Sequence, residues 1–200
     1  SGGKQKNFDS PAPKRKNPER NGSVNFELSE EQKMVIEGAK KFAEKELAPK
    51  VEGLDARQEA NVAALKALGE LGYLGMTVPE DYGGTGLGAV AYAGVMIELS
   101  KVDAGTAVGV SVQNSLVNDA FVMYGSEAQK RHYLPKLVTG EWMGCFSLTE
   151  AGAGSDPGSL RATAVRDGQH YVLNGTKNFT TNGAFAENCY LVADPEAGEA

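Results

Sequence analysis

The sequence has 200 residues, 41% of them apolar and 23% charged, with a net charge of −6. That is enough apolar material for a sizeable core in one large domain or two small ones. No apolar run approaches the ~20 residues of a membrane-spanning helix, and the two cysteines and two histidines form neither a disulfide framework nor a metal-ligand set.

Residues 1–25 read as a basic tail, disordered or left over from a tag. Six Lys or Arg stand there against Asp9 and Glu19, a net of +4 that leaves −10 on residues 26–200. The tail has no apolar core, so it is not a secretory signal. Its acids and prolines make a poor mitochondrial presequence. The acidic remainder argues against general nucleic-acid binding. Cys145 and Cys189 both lie in apolar runs and read as core thiols in a reducing compartment.

Structure is expected to begin near Asn25. Ser29 with Gln32 is a capping box, and Val35, Ala39, Phe42, Ala43 and Leu47 follow at helical spacing. Pro49 is expected to end that helix. A second helix is predicted over 58–71, with Gly72 after it. VPEDYGGTGLG (78–88) reads as a loop. Residues 87–101 are apolar nearly all round, which places a helix in an interior. Residues 104–124 read similarly. Ser126 with Gln129 opens a further helix to about Val138. Residues 26–140 are therefore predicted to form an all-α helical bundle domain.

The pattern changes near residue 140. Strands are expected at 141–148, 160–166, 170–174, 176–182 and 188–194, with hairpin signals at Asp167-Gly168 and Asn174-Gly175. Closely spaced strands with tight turns predict an antiparallel barrel or sandwich. The fold class is thus α+β, with residues 141–200 as the start of an incomplete β-domain.

Two segments carry candidate chemistry. TEAGAGSD (149–156) sets glycines beside Thr149, Ser155 and two carboxylates. It is either an ordinary turn or a loop whose backbone approaches a ligand without a Cβ clash. NGTKNFTTNG (174–183) offers the flat face of Phe179 beside the hydroxyls of Thr180 and Thr181. Phe179 is either a wall for a planar cofactor or part of the sheet core.

TEAGAGSDPGS followed by LNGTKNFTTNG, together with VPEDYGGTGLG and LVTGEWMGCFSLTE, resembles the acyl-CoA dehydrogenase family, over about residues 25 to 200. The resemblance implies tightly bound FAD, oxidation of an acyl-CoA to trans-2-enoyl-CoA, and electron transfer to an electron-transferring flavoprotein. It implies that Phe146, Leu148 and Thr149 line the flavin and that Gly154 and Ser155 lie by its phosphates and the CoA moiety, Ser155 also meeting substrate. Phe179, Thr180 and Thr181 would flank the isoalloxazine, with Thr181 next to N5. Many members have Trp at the position of Phe179, Pro at Ala151 and Ile at Thr180. No catalytic residue is assigned: the family's base, a Glu, and its C-terminal four-helix bundle match nothing in these 200 residues. Short-chain or butyryl-type members are most similar in general texture. The resemblance further implies a homo-oligomer, dimer or tetramer, in bacterial cytoplasm or a mitochondrial matrix, without stable membrane insertion. An acyl-CoA oxidase or a non-catalytic scaffold on the same fold are the alternatives.

Overall fold

The computed structural model describes residues 27–194, so the expected basic tail lies outside the described residues. Helices come first. α1 (Glu30–Phe42) runs through a π-helical turn at Ala43–Leu47 into α2 (Ala48–Arg57). α3 spans Val62–Glu70 and α4 spans Gly88–Ser100. α5 (Ala104–Ser111) continues through a π-helical segment, Val112–Asn118, into α6 (Asp119–Tyr124), and α7 covers Glu127–Val138. Both expected capping boxes are present, Ser29 with Gln32 and Ser126 with Gln129.

Pro49 does not end the first helix. It sits in the first turn of α2, where its missing N–H is no loss, just after the π turn has already interrupted the regular ladder. α4 is not interior on every side either. Ala91, Val95 and Leu99 are buried along one stripe, while Val90 and Ile97 are exposed. The α1–α4 crossing is close because a Cβ on Gly94 would collide with Ile36.

Leu47, Leu68, Leu74, Leu99 and Met143, all fully buried, belong to one core between these helices. A second cluster joins Val117, Phe121, Leu134 and Leu137 around α6 and α7. The segment between α3 and α4 satisfies much of its backbone by its own turns, and buried side-chain amides take up groups at Tyr73, Leu74 and Met76. Asn114 accepts from Met76 N at 2.9 Å and donates to Tyr73 O, also at 2.9 Å, while Asn118 donates to Leu74 O at 2.7 Å. Both residues stand on the π-helical segment, which turns them toward that chain.

The sheet differs from expectation. Among the described residues there are two two-stranded sheets and no closed antiparallel barrel. β1 (Gly144–Ser147) pairs in parallel with β4 (Asn188–Leu191). A long excursion separates them, as parallel pairing requires. β2 (Thr163–Asp167) and β3 (His170–Asn174) form the hairpin expected at Asp167-Gly168. Residues 176–182 form no strand. Phe179 and Asn182 have φ of 56° and 66°, which no ladder accommodates, and the N–H of Asn178 is already committed to Thr149 O.

Candidate functional site

β1 is fixed at the seam between helices and sheets. Gln113, fully buried on the π-helical segment, accepts from Gly144 N at 2.8 Å and donates to Leu137 O at 2.9 Å. Asn182 donates to Gly144 O at 3.2 Å. Gly144 itself leaves room for Val117, which a Cβ there would strike. These bonds settle where the chain leaves the helices and therefore where the residues after β1 stand.

Those residues form one wall of an open crevice of about 220 Å³. Phe146, Leu148 and Thr149 come from β1 and its exit. Phe179 and Thr181 come from the non-strand segment and face the same space. The structure therefore brings together five of the eight residues singled out from sequence. Phe179 is 91% exposed, so its ring is presented with nothing packed over it. That exposure speaks against a core role, and its left-handed backbone is the kind of strain found where a side chain must be aimed.

Three of the eight lie elsewhere. Thr180 turns its hydroxyl to Ser147 Oγ at 3.1 Å, and Ser147 in turn meets Cys189 Sγ at 3.3 Å. Gly154 and Ser155 stand exposed on the loop beyond Glu150, outside the crevice lining. Open space lies where Cβ atoms on Gly152 or Gly154 would point, so those amides can be approached from solvent. Asp156 shapes the same loop by accepting from Gly158 N at 3.1 Å.

Sequence reading missed Val112, Leu116 and Asn178, which complete the crevice. Val112 and Leu116 lie on the π-helical segment, and their four-residue spacing read only as another apolar helix face. Lys177 was also missed. Its Nζ donates to Glu150 Oε1 at 2.7 Å and to Leu148 O at 3.0 Å, with the two side chains 7% and 9% exposed. Glu150 also accepts from Arg161 N at 2.7 Å and Ala162 N at 2.9 Å. The Lys177 bond above all, then the two amides, hold the Glu150 carboxyl down at about 2. Nearby, burial first and then its neighbour Cys189 push the Cys145 thiol up to about 11.

A second cavity, about 250 Å³, meets this one only at Thr181. Its lining includes Asp55, Glu59 and Asp103, three carboxylates that would oppose an anionic ligand. The crevice has none in its lining. It combines apolar and aromatic faces with two threonine hydroxyls and an asparagine, which suits a flat heteroaromatic ring with polar edges.

Residues 29–141 match the family model of the acyl-CoA dehydrogenase N-terminal domain, and residues 145–200 match that of the middle domain. The human mitochondrial short-chain specific acyl-CoA dehydrogenase is 42% identical over 170 residues, which is 85% of this chain and 41% of that protein. Butyryl-CoA dehydrogenase from Megasphaera elsdenii superposes with a TM-score of 0.80 at 35% identity, covering 85% of this chain and 45% of that one. A glutaryl-CoA dehydrogenase from Mycobacterium smegmatis in complex with FADH2 gives 0.81 at 38% identity, with 84% and 44% covered. The chain thus spans less than half the length of these relatives. No helix among the described residues is long and apolar enough to cross a membrane.

Proposed function

The chain belongs to the acyl-CoA dehydrogenase family, and from that premise we propose that it forms the helical and first β portions of an FAD-dependent enzyme that desaturates an acyl-CoA. The observation that carries this reading is the crevice itself, in which Phe146, Leu148, Thr149, Phe179 and Thr181 converge from two separate segments. An uncovered aromatic ring beside hydroxyl donors is a surface that a flavin would cover.

In this reading Phe146, Leu148, Thr149, Phe179 and Thr181 would hold FAD, which would supply the acceptor for the substrate's β-hydride. The chain's own residues bind and orient it. Phe179 and Phe146 offer apolar faces to the ring system, and Thr149 and Thr181 offer hydroxyls to its polar edges. Gly154 and Ser155, exposed on the following loop, are proposed to meet phosphates and the CoA moiety. Glu150 is not offered as the α-proton base. Its oxygens are held by Lys177 and two amides, and a carboxyl held at about 2 is a poor proton acceptor at neutral pH. The base is proposed to come from outside these 200 residues. Similarity to short-chain specific and butyryl-CoA dehydrogenases favours a short acyl chain, and an electron-transferring flavoprotein is the proposed acceptor.

The test is the visible spectrum of the purified full-length protein before and after anaerobic addition of butyryl-CoA. Flavin bands that bleach on addition are expected. Flavin bands unchanged by any acyl-CoA would overturn the dehydrogenase reading, and failure to take up FAD would overturn the cofactor.

A further inference from the structure

Two opposite charges lie almost wholly out of water at the Lys177–Glu150 pair. Burying ions is costly, and an apolar pair of similar volume serves as well or better where the only need is to fill space. What an apolar pair cannot do is aim hydrogen bonds. Here the bonds run to particular places. Lys177 Nζ reaches Leu148 O, and the next residue's amide, Asn178 N, reaches Thr149 O at 2.8 Å. Two consecutive residues thus hold two consecutive carbonyls of the crevice wall across a separation of 29 positions. The carboxylate's remaining contacts pin Arg161 N and Ala162 N, where the glycine-rich loop returns to β2. The loop's neck is closed as well, by paired bonds of 3.1 Å between Glu150 and Ala153.

Three segments therefore meet at one ion pair: the wall at Leu148–Thr149, the loop's return at 161–162, and the stretch that presents Phe179. We infer that Lys177, oriented by Glu150, is a positioning residue for the flavin cradle, holding the Leu148–Thr149 wall in place opposite Phe179 and Thr181. The inference rests on the crevice being the flavin site. Lys177 touches no proposed reacting atom and acts only through the carbonyl it holds.

The experiment measures the FAD dissociation constant, by quenching of flavin fluorescence, and the thermal midpoint of the apoprotein. It uses full-length wild type, Lys177→Met, and the double variant Lys177→Met with Glu150→Gln. Lys177→Met leaves a buried carboxylate without its partner, so both the midpoint and FAD affinity are expected to fall. The double variant removes the stranded charge and recovers part of the midpoint. Leu148 O still lacks its donor, so FAD binding is expected to stay weaker on the order of tenfold, the worth of one charge-assisted hydrogen bond. An affinity that recovers together with the midpoint would mean the pair acts on stability alone and would overturn the inference. If Lys177→Met does not accumulate as folded protein, the double variant decides alone. A wild type that binds no FAD overturns the flavin reading and this inference together; a wild type that binds it no better than the double variant overturns this inference only.

Discussion

The helical region and the stretch from β1 to β4 are held together by different physics. Between the helices, fully buried leucines and methionines interlock, and cohesion comes from apolar area removed from water. From Gly144 to Leu191 the buried apolar residues are only Cys145, Ala153 and Ala162, and every residue of β3 is exposed. Directional polar bonds take over there: Gln113 to Gly144, Asn182 to Gly144, and Lys177 to Glu150 and Leu148. Apolar contact is tolerant of small shifts, whereas hydrogen bonds fix distance and angle. The part that supplies stability and the part that shapes the crevice are therefore built from separable materials, and that separation can be tested.

The largest effect is expected from Leu68→Ala. Leu68 is fully buried in the main core, so the truncation should cost about 2–5 kcal/mol by denaturant unfolding. Under conditions where the variant stays folded, FAD affinity should be unchanged. A matching loss of affinity would show that the two regions are not separable.

Gln113→Leu probes the seam, where both readouts should move. The substitution strips partners from Gly144 N and Leu137 O in a fully buried setting. About 1–3 kcal/mol of destabilisation is expected for a buried group left unsatisfied. Because Gly144 opens β1, FAD affinity should fall as well. Stability loss without any change in affinity would place the anchoring of the wall on Asn182 instead.

The contrast also explains what the sequence disclosed. Helices were legible because Ser29-Gln32 and Ser126-Gln129 cap locally, and Val35, Ala39 and Leu47 repeat at a fixed period. The Asp167-Gly168 hairpin was legible for the same local reason. The parallel pairing of β1 with β4 was not, because it depends on an excursion of some forty residues that no short pattern encodes. Residues 176–182 looked like a strand on composition. Instead the Asn178 N–H donates to Thr149 O, the Asn182 side chain donates to Gly109 O, and Phe179 and Asn182 take left-handed φ, none of which the local composition shows. The same holds for the site. The motif residues Phe146, Thr149 and Phe179 stand out by type, while Lys177 and Gln113 act through whom they touch, which composition does not show.

The polar side of the comparison has a pH signature. The Glu150 carboxyl lies at about 2 in the folded chain against an ordinary 4.5. A depressed value means that its stabilisation is fully present above 4.5 and drains away as pH falls from there toward 2. Glu150→Gln never has that contribution. The thermal midpoint of wild type should therefore exceed that of the variant at pH 6, and the gap should narrow steadily between pH 4.5 and 2. A gap independent of pH would mean that Glu150 acts as a hydrogen-bond acceptor and not through its charge.

Phe179→Gly should move stability least and still separate the two regions most cleanly. A left-handed φ of 56° costs a non-glycine residue about 1 kcal/mol, which glycine would relieve. Glycine also frees the unfolded chain, at a cost of about 0.4–1 kcal/mol. A ring 91% exposed forfeits almost no packing on removal, so the two terms should nearly cancel and the unfolding midpoint should stay close to wild type. FAD binding has no such compensation. Losing an aromatic face is worth about 0.5–1.5 kcal/mol beyond its area, roughly a two- to twelvefold weaker dissociation constant. If the variant of the full-length protein were instead destabilised by several kcal/mol, Phe179 would be packed in a sheet core there. The ring would then belong to the materials of stability, and the crevice would lose its wall.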